Sequence, residues 1–174
     1  MAGTGSGNKL SQDNQTVAFL QAFSMHPAGV AVITAVAETG NPVGFTATSL
    51  ASFSIAPPRA SFNIARHASS YPALTVGKEI LLHFLGKHQV DVAKTMAGDS
   101  AKRFVGSHWE LDELGLPRIK GVRALLIARI IAVNEVGTNA SVIIEIEDGE
   151  ANLDCEPLVY VDRKFHAVGD VLVD

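Results

Sequence analysis

Cysteine is nearly absent: Cys155 is the only one in 174 residues. No internal disulfide can form and no cysteine cluster can hold a metal. That argues against a secreted, disulfide-stapled framework. Basic residues are few, 14 Lys and Arg against 18 Asp and Glu, for a formal net charge of −4. Nucleic acid is thereby disfavoured as a partner, because it needs a positive face. No run approaches the roughly 20 apolar residues that cross a bilayer. The Gly/Ser/Thr-rich stretch from Met1 to Asn8 has no apolar centre and is no signal peptide. A soluble cytoplasmic protein with no membrane partner is expected. The sequons at Asn14-Gln15-Thr16 and Asn139-Ala140-Ser141 then read as chance. Charged residues make up only 18% of the chain, which hints at a surface partly covered by another subunit.

Familiar catalytic motifs are missing too. There is no P-loop, no His-Glu-x-x-His helix and no Gly-x-Ser-x-Gly elbow. Gly3-x-Gly5-x-Gly7 follows no strand, so it is no dinucleotide fingerprint. The six histidines, His26, His67, His83, His88, His108 and His166, show no metal-ligand spacing, and no metal site is expected. His83 sits in an alternating strand and reads as a plain strand residue. Cys155 has no activator near it in sequence and reads as an inert thiol. Nothing is arranged for nucleophilic or acid–base chemistry.

The length suits one domain with a real core. Residues 1–10 read as a disordered tail, and residues 11–174 as a single domain. The pattern predicts a helix from about Asp13 to Met25, capped by Ser11 or Asp13 and ended by His26-Pro27. Gly29 to Ala37 is apolar on both faces and β-branched, the mark of a buried strand. After the turn at Glu38 to Pro42, Val43 to Ser54 reads as one strand, stopped by Pro57-Pro58. Further strands are expected at Arg59 to Ala65, Glu79 to Leu85, Val122 to Val133, Val142 to Glu147 and Leu158 to Val161. Short helices fit Ser70 to Val76 and His88 to Met96, and Ala97 to Pro117 reads as loop. Many strands, few helices and no βαβ alternation favour a mainly β, antiparallel barrel.

Two hydroxyl clusters carry the chemistry that is present. Thr46-Ala47-Thr48-Ser49 is placed mid-strand, and Asn63-x-x-Arg66-x-x-Ser69-Ser70 runs from a strand end into a helix start. Convergent hydroxyls, backbone N–H groups and an arginine suit a phosphate. Threonines also simply suit strands, and serines cap helices; spacing alone favours that plainer reading. In Lys102-Arg103-Phe104, Arg103 could meet an anion and Phe104 cover a ring, or the pair could be ordinary surface and anchor.

In series these segments resemble the short-chain flavin reductases, which have an FMN-binding split-barrel fold. The resemblance begins with Pro27-Ala28-Gly29-Val30-Ala31-Val32-Ile33-Thr34, then Gly44 to Ser54 and Pro57-Pro58. It continues through Asn63 to Ser70, Lys102-Arg103-Phe104, Pro117 and Gly121, and ends at Glu156-Pro157-Leu158-Val159-Tyr160. About residues 17 to 168 are covered. It implies a homodimer of six-stranded antiparallel Greek-key split barrels, with FMN or FAD near the subunit interface and NADH or NADPH as hydride donor. Thr46, Ala47, Thr48 and Ser49, with Ser52 close by, would line the ring and ribityl chain. Pro27 and Gly29 would approach the ring. Asn63, Arg66, Ser69, Ser70 and Arg103 would hold the phosphate region, with Phe104 packed alongside. Where the family carries Gly-Asp-His, its histidine beside the nicotinamide or flavin, this chain reads Gly137-Thr138-Asn139. Asn139 is thus placed on the nicotinamide side, able to donate and accept hydrogen bonds but not to carry charge.

The resemblance implies an NAD(P)H-dependent flavin reductase that supplies reduced flavin to a separate monooxygenase. Hydride transfer between stacked rings needs no protein acid or base, in keeping with the missing catalytic constellation. The alternative is a flavin-binding carrier or sensor that does not turn over, supported by the loss of Gly-Asp-His. A barrel similar to the pyridoxamine phosphate oxidases, or a structural subunit, fits the residues less well.

Overall fold

The structure, a computed structural model, describes residues 12–152 and 154–170. The expected tail at residues 1–10 and a cap at Ser11 lie outside the described residues, and so does the side chain of Asp13.

Among the described residues, helix α1 (Gln12–Ser24) is followed by twelve strands and one further α-helix. Seven strands form the main sheet, in the order β3 (Pro42–Ala47), β2 (Ala31–Val36), β6 (Glu79–Phe84), β9 (Ala124–Val136), β10 (Asn139–Ala151), β5 (Pro58–Ala65) and β4 (Ala51–Ile55). All its pairings are antiparallel. No ladder joins the edges β3 and β4 among the described residues, so hydrogen bonds do not close the sheet. A mainly β protein with few helices is what the strand-rich pattern predicted; the sheet has seven strands where six were expected.

Six of the seven strands contribute to one core. Ile33 of β2, Phe62 of β5, Ile80 and Leu82 of β6, Ile130 of β9 and Val142 of β10 are all fully buried in it. On the opposite face of β2, Val32, with Val30 just before the strand, joins a second cluster with Met96 and Leu158. β2 is therefore buried on both sides, as its unbroken apolar run requires. The second cluster seats α2 (Val90–Ala97), whose Met96 packs against β3 at Gly44. A Cβ on Gly44 would lie 2.8 Å from both Met96 Cε and the Ile33 carbonyl, so only glycine permits this approach.

His83 ties the layers together. Its imidazole is fully buried. Nε2 accepts from the Ile119 N–H at 3.1 Å, so Nδ1 carries the proton and donates to the Val32 carbonyl at 3.0 Å. Burial pulls its pKa down to about 4, against the push of the Val32 hydrogen bond.

Several local expectations need correction. Val43 to Ser54 is not one strand but two, β3 and β4, on opposite edges of the sheet. Pro58 opens β5 rather than ending a strand; on a residue whose neighbour β4 is the sheet edge, proline is tolerated there. The helix expected at Ser70 to Val76 is only a 3₁₀ turn, Tyr71–Ala73, with no side-chain cap. So short a turn has no useful dipole, and the anion argument built on a helix start at Ser69-Ser70 falls. The stretch read as loop contains β7 (Trp109–Leu111), paired with β8 (Pro117–Ile119). A final strand, β12 (Lys164–Ala167), was missed. It pairs with β11 (Leu158–Val161), which also pairs with β1 (Ala28–Gly29).

Candidate functional site

The chain crosses from one edge of the main sheet to the other through Thr48, Ser49 and Leu50. No backbone bond is made by their N–H groups among the described residues. Backbone groups outside a ladder need water or a ligand. Beside this crossing lies a groove with two lobes. One, of about 530 Å³, is lined by α1 residues Leu20 and Phe23, then His26, and on the far side Ser49, Asn63 and Tyr160. The other, of about 420 Å³, is lined by Thr46, Lys94, Gly98 and Phe165 among others. Thr48, Tyr160 and Arg163 line both, so the lobes meet there. Tyr160 and Phe165 pack against each other across the β11–β12 hairpin, 5.1 Å between centroids and tilted by 59°.

Three of the six hydroxyls expected to hold a ligand already have their protons engaged. Thr46 Oγ1 donates to the Ala93 carbonyl of α2 at 2.7 Å. Ser49 Oγ donates to the Asn63 carbonyl at 3.2 Å and accepts from the Asn63 N–H at 2.9 Å, strapping the crossing to β5. Ser70 Oγ is buried and donates to the Gly44 carbonyl at 3.0 Å. Thr48 alone of these four makes no side-chain hydrogen bond among the described residues. Ala47 alternates inward and packs in the main core.

Arg103 does meet Ser69 and Ser70, through Nη1 at 3.2 and 3.3 Å. The same nitrogen donates to the Gly44 carbonyl at 2.7 Å, while Nε and Nη2 both reach the Gly98 carbonyl, at 3.1 and 2.9 Å. A cation there also offsets the negative end of α2, which Gly98 terminates. Partial burial lowers the pKa of Arg103 from the ordinary arginine value, and the Asp99 charge opposes that. Its donors thus brace the protein itself. Phe104 lies next to it but packs edge-on against Trp109, at 5.1 Å, in the second core cluster.

Other expected site residues spread along the rim or away from it. Pro27 and Gly29 are exposed next to His26 and Ala28, which line the groove. Ser52 is exposed on edge strand β4. Arg66 and Asn139 come together elsewhere, at the β9–β10 turn. Arg66 donates to the Gly137 carbonyl at 3.1 Å and pairs with Glu135 at 2.9 Å. Asn139 stands across from Ala65 and lines neither lobe. Among the described residues no cluster of His, Cys, Asp or Glu is arranged to hold a metal.

Sequence reasoning missed Lys94, Tyr160, Phe165 and Arg163. Three of these four lie on or beside a hairpin whose turn, Asp162-Arg163, has φ of +48° and +59°. Two-residue hairpin turns of this hand normally signal themselves by Asn-Gly or Asp-Gly; Asp-Arg gives no such signal. The alternation of Tyr160 and Phe165 around a polar pair was the available clue.

A flat, partly aromatic ligand with an anionic tail fits the groove: a lobe walled by Phe23 and Tyr160 opens into one carrying Lys94 and Arg163. Each lobe is within the usual range of ligand sites, roughly 300–1,000 Å³. Known proteins agree. The flavin reductase like domain matches residues 23–169. An NADH:FMN oxidoreductase of Rhodococcus erythropolis is 37% identical over 150 residues, covering 83% of this chain and 78% of its own. The reductase component of 4-hydroxyphenylacetate 3-monooxygenase from Pseudomonas aeruginosa is 31% identical, over 86% of this chain and 89% of its own. The solved structure of a flavin reductase domain protein from Arthrobacter sp. FB24 superposes with a TM-score of 0.84 at 38% identity, covering 91% of this chain and 99% of its own. The chain belongs to the flavin reductase family.

Proposed function

We propose that the protein reduces a free flavin, FMN or FAD, with NADH or NADPH, and passes the reduced flavin to a separate monooxygenase. The groove carries this reading: an aromatic lobe joined to a cationic one, at a crossing whose backbone N–H groups are uncommitted. The Rhodococcus relative supplies the NADH:FMN pairing, and the Pseudomonas relative the role of a reductase component. A bound flavin would supply the hydride-accepting ring. The protein's own work is to hold two rings face to face and keep water out. Thr48 is free to donate a hydrogen bond, Ser49 can still accept one, and Tyr160 offers a flat wall to both lobes. No residue need exchange a proton at the ring, in keeping with the lack of an acid–base pair along the groove.

The reading includes a cytoplasmic homodimer of split barrels. One set of observations supports a second copy: Phe19, Leu20 and Phe23 of α1 are 58%, 53% and 63% exposed, and Phe53 and Ile55 of edge strand β4 are 60% and 94% exposed. An apolar surface of this extent marks an interface. Asn139 stands off its own groove, so its expected place on the nicotinamide side requires the second copy.

The test is oxidation of NADH and NADPH by the purified protein, followed by loss of nicotinamide absorbance, with FMN, FAD or riboflavin in excess. Flavin-dependent turnover supports the reductase. Flavin binding without turnover favours a carrier, the reading that the Gly137-Thr138-Asn139 departure supports.

A further inference from the structure

Six of the seven arginines make side-chain bonds within the protein: Arg59 to Glu145, Arg66 to Glu135, Arg118 to Glu150, Arg123 to the Cys155 carbonyl, Arg129 to Glu79 and Glu147, and Arg103 as described. Arg163 is the exception among the described residues. It is exposed, makes no hydrogen bond or ion pair, and is carried at φ +59°. A long side chain rarely adopts that conformation, and such outliers concentrate at functional sites. Arg163 lines both lobes of the groove. Lys94, on the last turn of α2, lines the second lobe with it and also lacks a partner among the described residues. No Asp or Glu lines either lobe. In a chain of net charge −4, two unpaired cations and no acid around one groove make it a local anion site.

We propose that Lys94 and Arg163 grip the phosphate of the groove's ligand, and so make the protein select phosphorylated ligands over their unphosphorylated forms. This rests on the flavin reductase reading and sharpens it. Arg103, which sequence reasoning assigned to the phosphate, is committed to the Gly44 and Gly98 carbonyls and lines neither lobe. Phosphate esters and diphosphates occur in both flavin nucleotides and nicotinamide dinucleotides; the shared chemistry is a phosphoryl oxyanion held by a planar guanidinium and a mobile ammonium. Thr48, between the two lobes, adds a hydroxyl donor.

The experiment compares Arg163→Gly and Lys94→Gln with the wild type. Glycine suits the left-handed turn, and glutamine is nearly as good in a helix as lysine, so both variants are expected to fold. A third variant, Lys78→Gln, removes the same charge beside a separate cavity lined by Glu79 and Arg129. Affinities for FMN and for riboflavin are read by fluorescence titration, and KM for NADH by steady-state turnover. The expected result is about tenfold weaker FMN binding in each groove variant, a change of about 1.4 kcal/mol, with riboflavin binding unchanged and Lys78→Gln like wild type. If FMN binding holds while KM for NADH rises about tenfold, the grip stands and the phosphate is the dinucleotide's. If riboflavin weakens as much as FMN, the residues hold the ring and the proposal is overturned. It is overturned equally if all three ligands stay within about twofold of wild type. Wild-type protein that binds neither flavin would sink the reductase reading itself, and this inference with it.

Discussion

The interior of the main sheet and the wall of the groove treat polar groups in opposite ways. Inside, no buried side-chain nitrogen or oxygen lacks a partner among the described residues, and His83 uses both ring nitrogens. Along the groove, Thr48, Lys94 and Arg163 have partners for none of their side-chain donors among the described residues. Burial explains the difference. An unmet polar group costs about 1–3 kcal/mol in the interior but little where water reaches it. Donors can therefore be kept open for a ligand only at the surface, and the residues that brace the site are those whose donors are already engaged.

The contrast can be broken most severely from the inside. Phe62→Ala should destabilise the fold by about 3–5 kcal/mol, because its fully buried ring meets β2, β9 and β10 residues in one cluster; urea unfolding at neutral pH reads this directly. Next is acid. His83 has a folded pKa of about 4 against 6.5 unfolded. The unfolded chain binds the extra proton first, so this contribution is complete above the unfolded value and lost as pH falls through the folded one. Linkage gives roughly 3 kcal/mol between those limits. Unfolding free energies for the wild type minus those for His83→Gln, measured across that window, should show this slope; a flat difference would remove His83 from the account.

Bracing residues come third. Arg103→Gln should cost about 1–3 kcal/mol, since it removes both side-chain donors from the Gly98 carbonyl and leaves the Gly44 carbonyl with Ser70 Oγ alone as a side-chain donor, and thermal melts should show it. The smallest effect is expected on the exposed side. Phe23→Ser should change the stability of a single chain by less than about 0.5 kcal/mol, yet shift sedimentation toward the smaller species, because Phe23 is 63% exposed in one copy. A large loss of single-chain stability would mean that α1 is held more firmly to its own chain than the structure shows.

Regular elements were the legible part. The unbroken run before the first turn, the alternation of Val142 to Glu147 and the helix ended by His26-Pro27 all follow from periodicity and proline geometry. The Thr48–Leu50 crossing was not legible. Its residues continue the β-rich composition of β3, and only the pairing partners, β2 on one side and β5 on the other, reveal that the strand breaks there. The site was half legible. Thr46, Thr48, Ser49 and Asn63 do lie along the groove, while Ala47 turns into the core, and which hydroxyls have their protons engaged depends on carbonyls distant in sequence, such as Ala93. Arg103 has its place at the phosphate from the resemblance alone, since Lys102-Arg103-Phe104 by itself suits a surface pair equally; the carbonyls that engage its donors, Gly44 and Gly98, come together only in three dimensions. Arg163 was overlooked because nothing in Asp-Arg announces a turn.

The uncommitted crossing has a kinetic signature. Amides of Ile33 and Leu82, laddered and fully buried, should trade deuterium only through global opening, whereas those of Thr48, Ser49 and Leu50 have no backbone partner to break first. The slowest and fastest exchanging amides of the sheet then lie within one β-unit of each other. Whatever settles against the crossing slows the fast set without touching the slow one, so the protein carries its own occupancy gauge in three consecutive peptide groups.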